Sequence, residues 1–140
     1  MAGHEAEPNT QPWTIDVSGS GPFAMSRVRR WLRRALPPSA DDVLEDVLVV
    51  ADELLANAYE HTPGPLEVRL TYLPTPCRVV VEVDDTSSAL PTLHNPGPQD
   101  LRGHGMRLIN DISDAWGVHR DDSTTGKTIW SRISRSPSTG

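Results

Sequence analysis

Ala51-Asp52-Glu53-Leu54-Leu55-Ala56-Asn57-Ala58-Tyr59-Glu60-His61 is the stretch that decides how this chain folds. Glu53, Asn57 and His61 recur at i, i+4 and i+8, and at roughly 100° per residue they form a polar stripe about 80° wide on one helix face. The positions around and before them (Val43, Leu44, Val47, Leu48, Val50, Leu54, Leu55, Ala58) are apolar, so the helix must be largely buried. A buried carboxylate without a partner is costly, so the stripe needs hydrogen bonds, a metal or a ligand beside it. Two readings stand: a capped or ion-paired face turned to water, or one wall of a binding site.

The chain has 140 residues, a net charge of -6 and a pI near 5.2. That length supports one domain burying roughly two-thirds of its unfolded surface. The acidic balance argues against a sequence-independent nucleic-acid binder, which needs a basic face. No apolar run approaches the ~20 residues needed to cross a bilayer, and nothing at the start resembles a signal core. The lone Cys77 has no internal disulfide partner, which suits a reducing compartment. The expectation is a soluble cytoplasmic protein with no direct contact to nucleic acid or membrane.

Residues 1–12 are polar and aperiodic and read as a disordered arm, 13–134 as one domain, and 135–140 as a tail. Trp13-Thr14-Ile15-Asp16-Val17 alternates as an edge strand does. A first helix follows, with Ala24, Val28, Trp31, Leu32, Ala35 and Leu36 on one side and Arg27, Arg29, Arg30, Arg33 and Arg34 around the rest, until Pro37-Pro38 stops it. The arginine face is either solvated or a docking surface for an acidic partner. Ser39 or Asp41 is placed to cap the second helix, which runs to about His61 and ends at Thr62-Pro63-Gly64-Pro65.

Residues 66–72 and 78–85 read as a hairpin. Its second strand puts Val79, Val81, Val83 and Asp85 on the apolar face and Arg78, Val80, Glu82 and Asp84 on the other. Asp85 is then either a turn-initiating aspartate or a ligand acceptor. Residues 88–102 hold three prolines and no periodicity, which favours a lid. Gly103-His104-Gly105 leads into a helix with apolar spacing at Met106, Ile109 and Ile112, and glycines at a helix start let backbone N–H groups approach an anion. Residues 116–120 and 127–134 form a closing hairpin. Together these describe an α+β protein, a two-layer α/β sandwich with a mixed, mostly antiparallel sheet and helices on one face.

Several nucleotide and catalytic signatures fail. Gly126-Lys127-Thr128 lacks the upstream glycine of a P-loop, since Asp121 stands there and no helix follows. Leu108 replaces the third glycine of a dinucleotide fingerprint. No zinc-ligand spacing and no serine-hydrolase elbow is present. As an ordered set, however, Glu53-x-x-x-Asn57-Ala58-x-x-His61, Val81-Glu82-Val83-x-Asp85-x-Ser87, Gly103-x-Gly105-Met106-x-Leu108-Ile109, Trp116-Gly117 and Gly126-Lys127-Thr128-Ile129-Trp130 resembles the GHKL ATP-binding superfamily. Within it, the chain is most similar to the stand-alone histidine-kinase-like ATPases of the anti-sigma factor and serine-kinase branch.

The resemblance implies a Bergerat-type ATP-binding fold over residues 13–134, with ATP and Mg2+ as cofactors. Asn57 would hold the Mg2+, and Glu53 would be the general base for γ-phosphate transfer to a serine or threonine hydroxyl. Asp85 would accept the exocyclic amine of adenine, Gly103, His104, Gly105 and Met106 would offer backbone amides to the phosphates, and Ser87 and Thr128 would lie near the base. His61 would play a supporting part. The implied function is a protein serine/threonine kinase acting on a small antagonist protein, with a sigma factor as second partner; the alternative is a non-catalytic ATP-binding interaction module. A histidine-kinase fragment is disfavoured, because no phosphoacceptor hairpin is present. The branch also implies a homodimer, for which Trp31 or Trp130 would be plausible interface residues, though a core position explains either equally well. Ser87 and Ala89 stand where the superfamily usually has glycine.

Overall fold

The period of the apolar residues changes from two to 3.6 and back along the chain, and the elements follow it. The computed structural model describes residues 12–61, 64–86, 102–120 and 126–134, without the side chains of residues 60, 61 and 102–105. The elements are β1 (Trp13–Asp16), α1 (Ala24–Ala35), α2 (Asp41–His61), β2 (Pro65–Pro74), β3 (Cys77–Asp85), α3 (Arg102–Ile112), β4 (Ala115–Arg120) and β5 (Lys127–Ser134). Short 3-10 turns at Gly21–Phe23 and Pro38–Ala40 lead into α1 and α2. The expected arm, the lid, Ser87, Ala89 and the tail lie outside the described residues.

The strands form one sheet in the order β1-β2-β3-β5-β4. All four pairings are antiparallel, the limit of the mostly antiparallel sheet expected from sequence. One face carries Val68, Leu70 and Tyr72 of β2, Val79, Val81 and Val83 of β3, and Ile129 and Ile133 of β5, all buried. Against it lie Val28 and Leu32 of α1, Val47, Leu54 and Leu55 of α2, and Met106 and Ile109 of α3. Each such side chain contributes about 1.5–3 kcal/mol on full burial. Helix α2 is central, packing against both other helices and against β2, β3 and β5.

The opposite sheet face is held by charge. Arg69 of β2 makes a bidentate contact with Asp84 of β3, 2.7 Å to each oxygen, and reaches Glu67 at 3.3 Å and Glu82 at 3.5 Å. Thr128 of β5 donates its hydroxyl to Asp84 Oδ1 at 2.5 Å. Burial pushes the Asp84 carboxyl up, but the hydrogen bonds from Arg69 and Thr128 outweigh it and leave it below the usual aspartate range. Further along this face, Trp130 stacks on His119 with centroids 6.3 Å apart, over Gly117 of the neighbouring strand.

One expectation changes: Gly103, His104 and Gly105 fall inside the first turn of α3, which starts at Arg102. Ser39 lies in the 3-10 turn that leads into α2, and its hydroxyl is 2.6 Å from the Tyr72 hydroxyl. Trp31 and Trp130 are partly buried, Trp31 packed on the core and Trp130 on His119 of the neighbouring strand.

Candidate functional site

The rotation of α2 about its axis is set by its two flanks. Asp52 pairs with Arg29 of α1, while the apolar arc from Val43 through Leu54 faces the core. By helical spacing, Glu53 and Asn57 lie about 100° and 140° round from Asp52, away from the edge that meets α1. Burial raises the pKa of Asp52, and the charge and hydrogen bond of Arg29 offset part of that rise.

Glu53 is partly buried; Asn57 is only 6% exposed. Its Oδ1 is fully buried and has no hydrogen-bond partner among the described residues. An acceptor left in that state costs about 1–3 kcal/mol, so this amide oxygen is a group awaiting a donor or a cation. His61 is the last residue of α2, and its side chain lies outside the described residues.

Asp85 closes β3 on the face that strand parity assigned to it, with Val83 and Val81 before it buried on the same side. It is not alone there. Lys127, its cross-strand neighbour on β5, donates Nζ to both carboxylate oxygens at 3.0 Å each, and the two side chains are 0% and 1% exposed. Gly126 permits this approach: a Cβ at that position would stand 2.5 Å from the Asp85 carbonyl oxygen.

The register that turns Lys127 inward turns Thr128 outward to Asp84, so Thr128 and Asp85 occupy opposite faces of the sheet. Sequence reasoning tested Gly126-Lys127-Thr128 against the P-loop and used it in the family motif, but gave the site role there to Thr128 and none to Lys127. The signal was nonetheless present, since Lys127, Ile129, Ser131 and Ile133 share one strand face. Met106 is buried in α3, and the backbone of Gly103 to Gly105 belongs to its first turn, where a helix leaves N–H groups without intrahelical acceptors.

Among the described residues no group of three or more His, Cys, Asp or Glu is arranged to hold a metal ion. The orphaned amide oxygen of Asn57 does fit Mg2+, a hard cation that typically takes one or two protein oxygens and completes its shell with phosphate and water.

The sequence model of the histidine kinase-like ATPase domain family matches residues 21–133, from the turn before α1 into β5. The chain belongs to this family. Histidine kinase-like ATPase domains bind ATP, generally with Mg2+, and ATP binding is the function this membership carries. Comparison with curated proteins gave no match. In this histidine kinase-like ATPase domain, no described helix is long and apolar enough to cross a membrane.

Proposed function

We propose that this protein is a regulatory kinase of the anti-sigma type. It binds Mg-ATP over α2 and the inner end of the sheet and transfers the γ-phosphate to a serine or threonine of a small antagonist protein. A sigma factor is its second partner. The observation that carries this reading is the buried, unpartnered Oδ1 of Asn57, one helical turn from Glu53. Asn57 would hold the magnesium ion, whose chemistry is to neutralise the phosphate oxygens as charge shifts toward the leaving group. Glu53 would accept the proton of the attacking hydroxyl, and its partial exposure leaves it reachable by a protein substrate. Asp85 would accept an N–H from the base.

The partner surface on this reading is the arginine side of α1. Arg27, Arg30 and Arg34 line a cleft of about 200 Å3 with Trp31 and with Ile15 of the edge strand β1. Arginine and aromatic residues together are typical of interface centres, and three positive charges on a chain of net charge -6 suit an acidic partner better than a second copy of the same patch.

Replacing Glu53 by Ala is expected to remove phosphoryl transfer to the antagonist and leave Mg-ATP affinity within about twofold. Transfer that persists in Glu53→Ala removes this residue from the mechanism. The second reading, a non-catalytic ATP-binding interaction module, is favoured by the Lys127 contact, which engages both oxygens of Asp85. Calorimetry with Mg-ATP run beside a transfer assay separates the two.

A further inference from the structure

β1 ends the sheet, and among the described residues only β2 pairs with it. The backbone groups of successive strand residues point to opposite sides. The N–H of Val17, just past β1, donates to the Leu66 carbonyl at 3.0 Å, so Ile15 and Trp13 turn their groups to β2, and Thr14 and Asp16 turn theirs to the open edge. Arg27 Nη1 meets the Asp16 carbonyl from that side at 3.2 Å. The Thr14 N–H, the Thr14 carbonyl and the Asp16 N–H remain along the edge. Trp13, Thr14 and Ile15 favour strand, and no lysine or proline within β1 blunts it.

This edge adjoins the arginine cleft. Ile15 is on the helix-covered face of β1, opposite buried Val68, and lines the cleft with Arg27, Arg30, Trp31 and Arg34 of α1. Elsewhere on α1, Arg29 pairs with Asp52 and Arg33 with Glu45, while Arg27 is turned to Asp16 and Ser20. Arg30 and Arg34 have no hydrogen bond or ion pair among the described residues. Four positions apart, they are separated by about 6 Å along the helix, close to the roughly 6.7 Å between alternate residues on one face of a strand.

Resting on the partner surface described above, we infer that its occupant is an extended, acidic segment of another protein, added to the sheet as a strand beside β1. Every second side chain of such a strand enters the cleft, so carboxylates at i and i+2 meet Arg30 and Arg34 while its backbone bonds to Thr14 and Asp16. The short edge sets the register, and the guanidinium groups supply most of the attraction. A second copy of this chain fits less well, because pairing β1 with its own copy sets two arginine clefts side by side.

The probe is a blocked peptide of about eight residues in which glutamate and threonine alternate; its control has the same composition with the glutamates in adjacent pairs, half of them on each face of a strand. Calorimetry on the full chain is expected to show the alternating peptide binding at least about fivefold tighter than the control. Arg30→Ala combined with Arg34→Ala is expected to weaken it at least about tenfold. Thr14→Pro removes one edge N–H without changing charge, at a position where an edge strand accepts proline, and is expected to weaken it at least about fivefold. Should Thr14→Pro fail to fold, the wild type is titrated with the peptide N-methylated at its glutamates or at its threonines. One alternate set of nitrogens faces β1, so one form loses affinity and the other keeps it.

Equal affinity for the alternating peptide and its control, a folded Thr14→Pro that binds as the wild type does, or methylated peptides that bind alike overturns the strand while the arginine surface stands. A wild type that binds neither peptide, or a double arginine variant of unchanged affinity, overturns the partner surface and this inference together.

Discussion

Replacing Asn57 by Leu should make the free protein more stable and the nucleotide-bound protein less so. The amide is 6% exposed, and its Oδ1 lacks a partner, which costs the folded state about 1–3 kcal/mol. Leucine is γ-branched like asparagine, and the position is buried, so it removes that cost and adds apolar burial. Overpacking by the longer branches takes back about 1 kcal/mol. A net gain of about 1 kcal/mol corresponds to a rise of roughly 3–5 °C in melting temperature for a domain of this size.

Mg-ATP at about a hundred times its Kd stabilises the wild type by about 2.7 kcal/mol, on the order of 10 °C. The leucine variant has no oxygen for the ion and should gain little. The two proteins therefore exchange rank: the variant melts higher alone, the wild type higher with Mg-ATP. Thermal unfolding followed by circular dichroism, with and without Mg-ATP, reads all four values. A variant that melts below the wild type without nucleotide would show that the amide oxygen is satisfied in solution. A variant that keeps the full Mg-ATP shift would remove Asn57 from the site.

Two further outcomes follow from contacts in the sheet. Gly126→Ala sets a Cβ 2.5 Å from a backbone oxygen, whereas the nearest atom for Gly117→Ala is the indole Nε1 of Trp130 at 2.8 Å, on a side chain that can turn. Urea unfolding should show a loss of about 1–3 kcal/mol for Gly126→Ala and a smaller one for Gly117→Ala, and the reverse order would contradict the packing described. Asp84 has a depressed folded pKa, so its contribution is complete above the unfolded value near 4 and fades as pH falls through the folded one. Asp84→Asn should cost about 1–2 kcal/mol at pH 7, allowing for partial exposure, and the gap to wild type should narrow as the pH falls below the unfolded value near 4. A gap that stays constant over that range would dissociate Asp84 from the acid limb.

The fold was largely legible because its elements are regular where the core is. The period-two run of Val79, Val81 and Val83 named the inner face of β3 and placed Asp85 on it, and the i, i+4 spacing joined Glu53 to Asn57. What escaped depended on contacts far apart in the chain. Lys127 meets Asp85 across 42 positions, and Arg69 meets Thr128 across 59, through a strand register that no local pattern reveals. The contact of the Ser39 hydroxyl with Tyr72 of β2, 33 positions away, was likewise beyond local pattern. The start of α3 was misplaced because glycine weighs against helix in isolation, while the packing of Met106 and Ile109 extends the helix back to Arg102.

Arg69 ties β2 to Asp84 of β3, and Thr128 of β5 fastens to the same carboxylate, directly behind Asp85 and Lys127. Three strands are thus laced at the back of the candidate pocket, which makes its floor stiff. A change of shape on ligand binding, if it follows the weaker contacts, is then expected on the helical side rather than in the sheet.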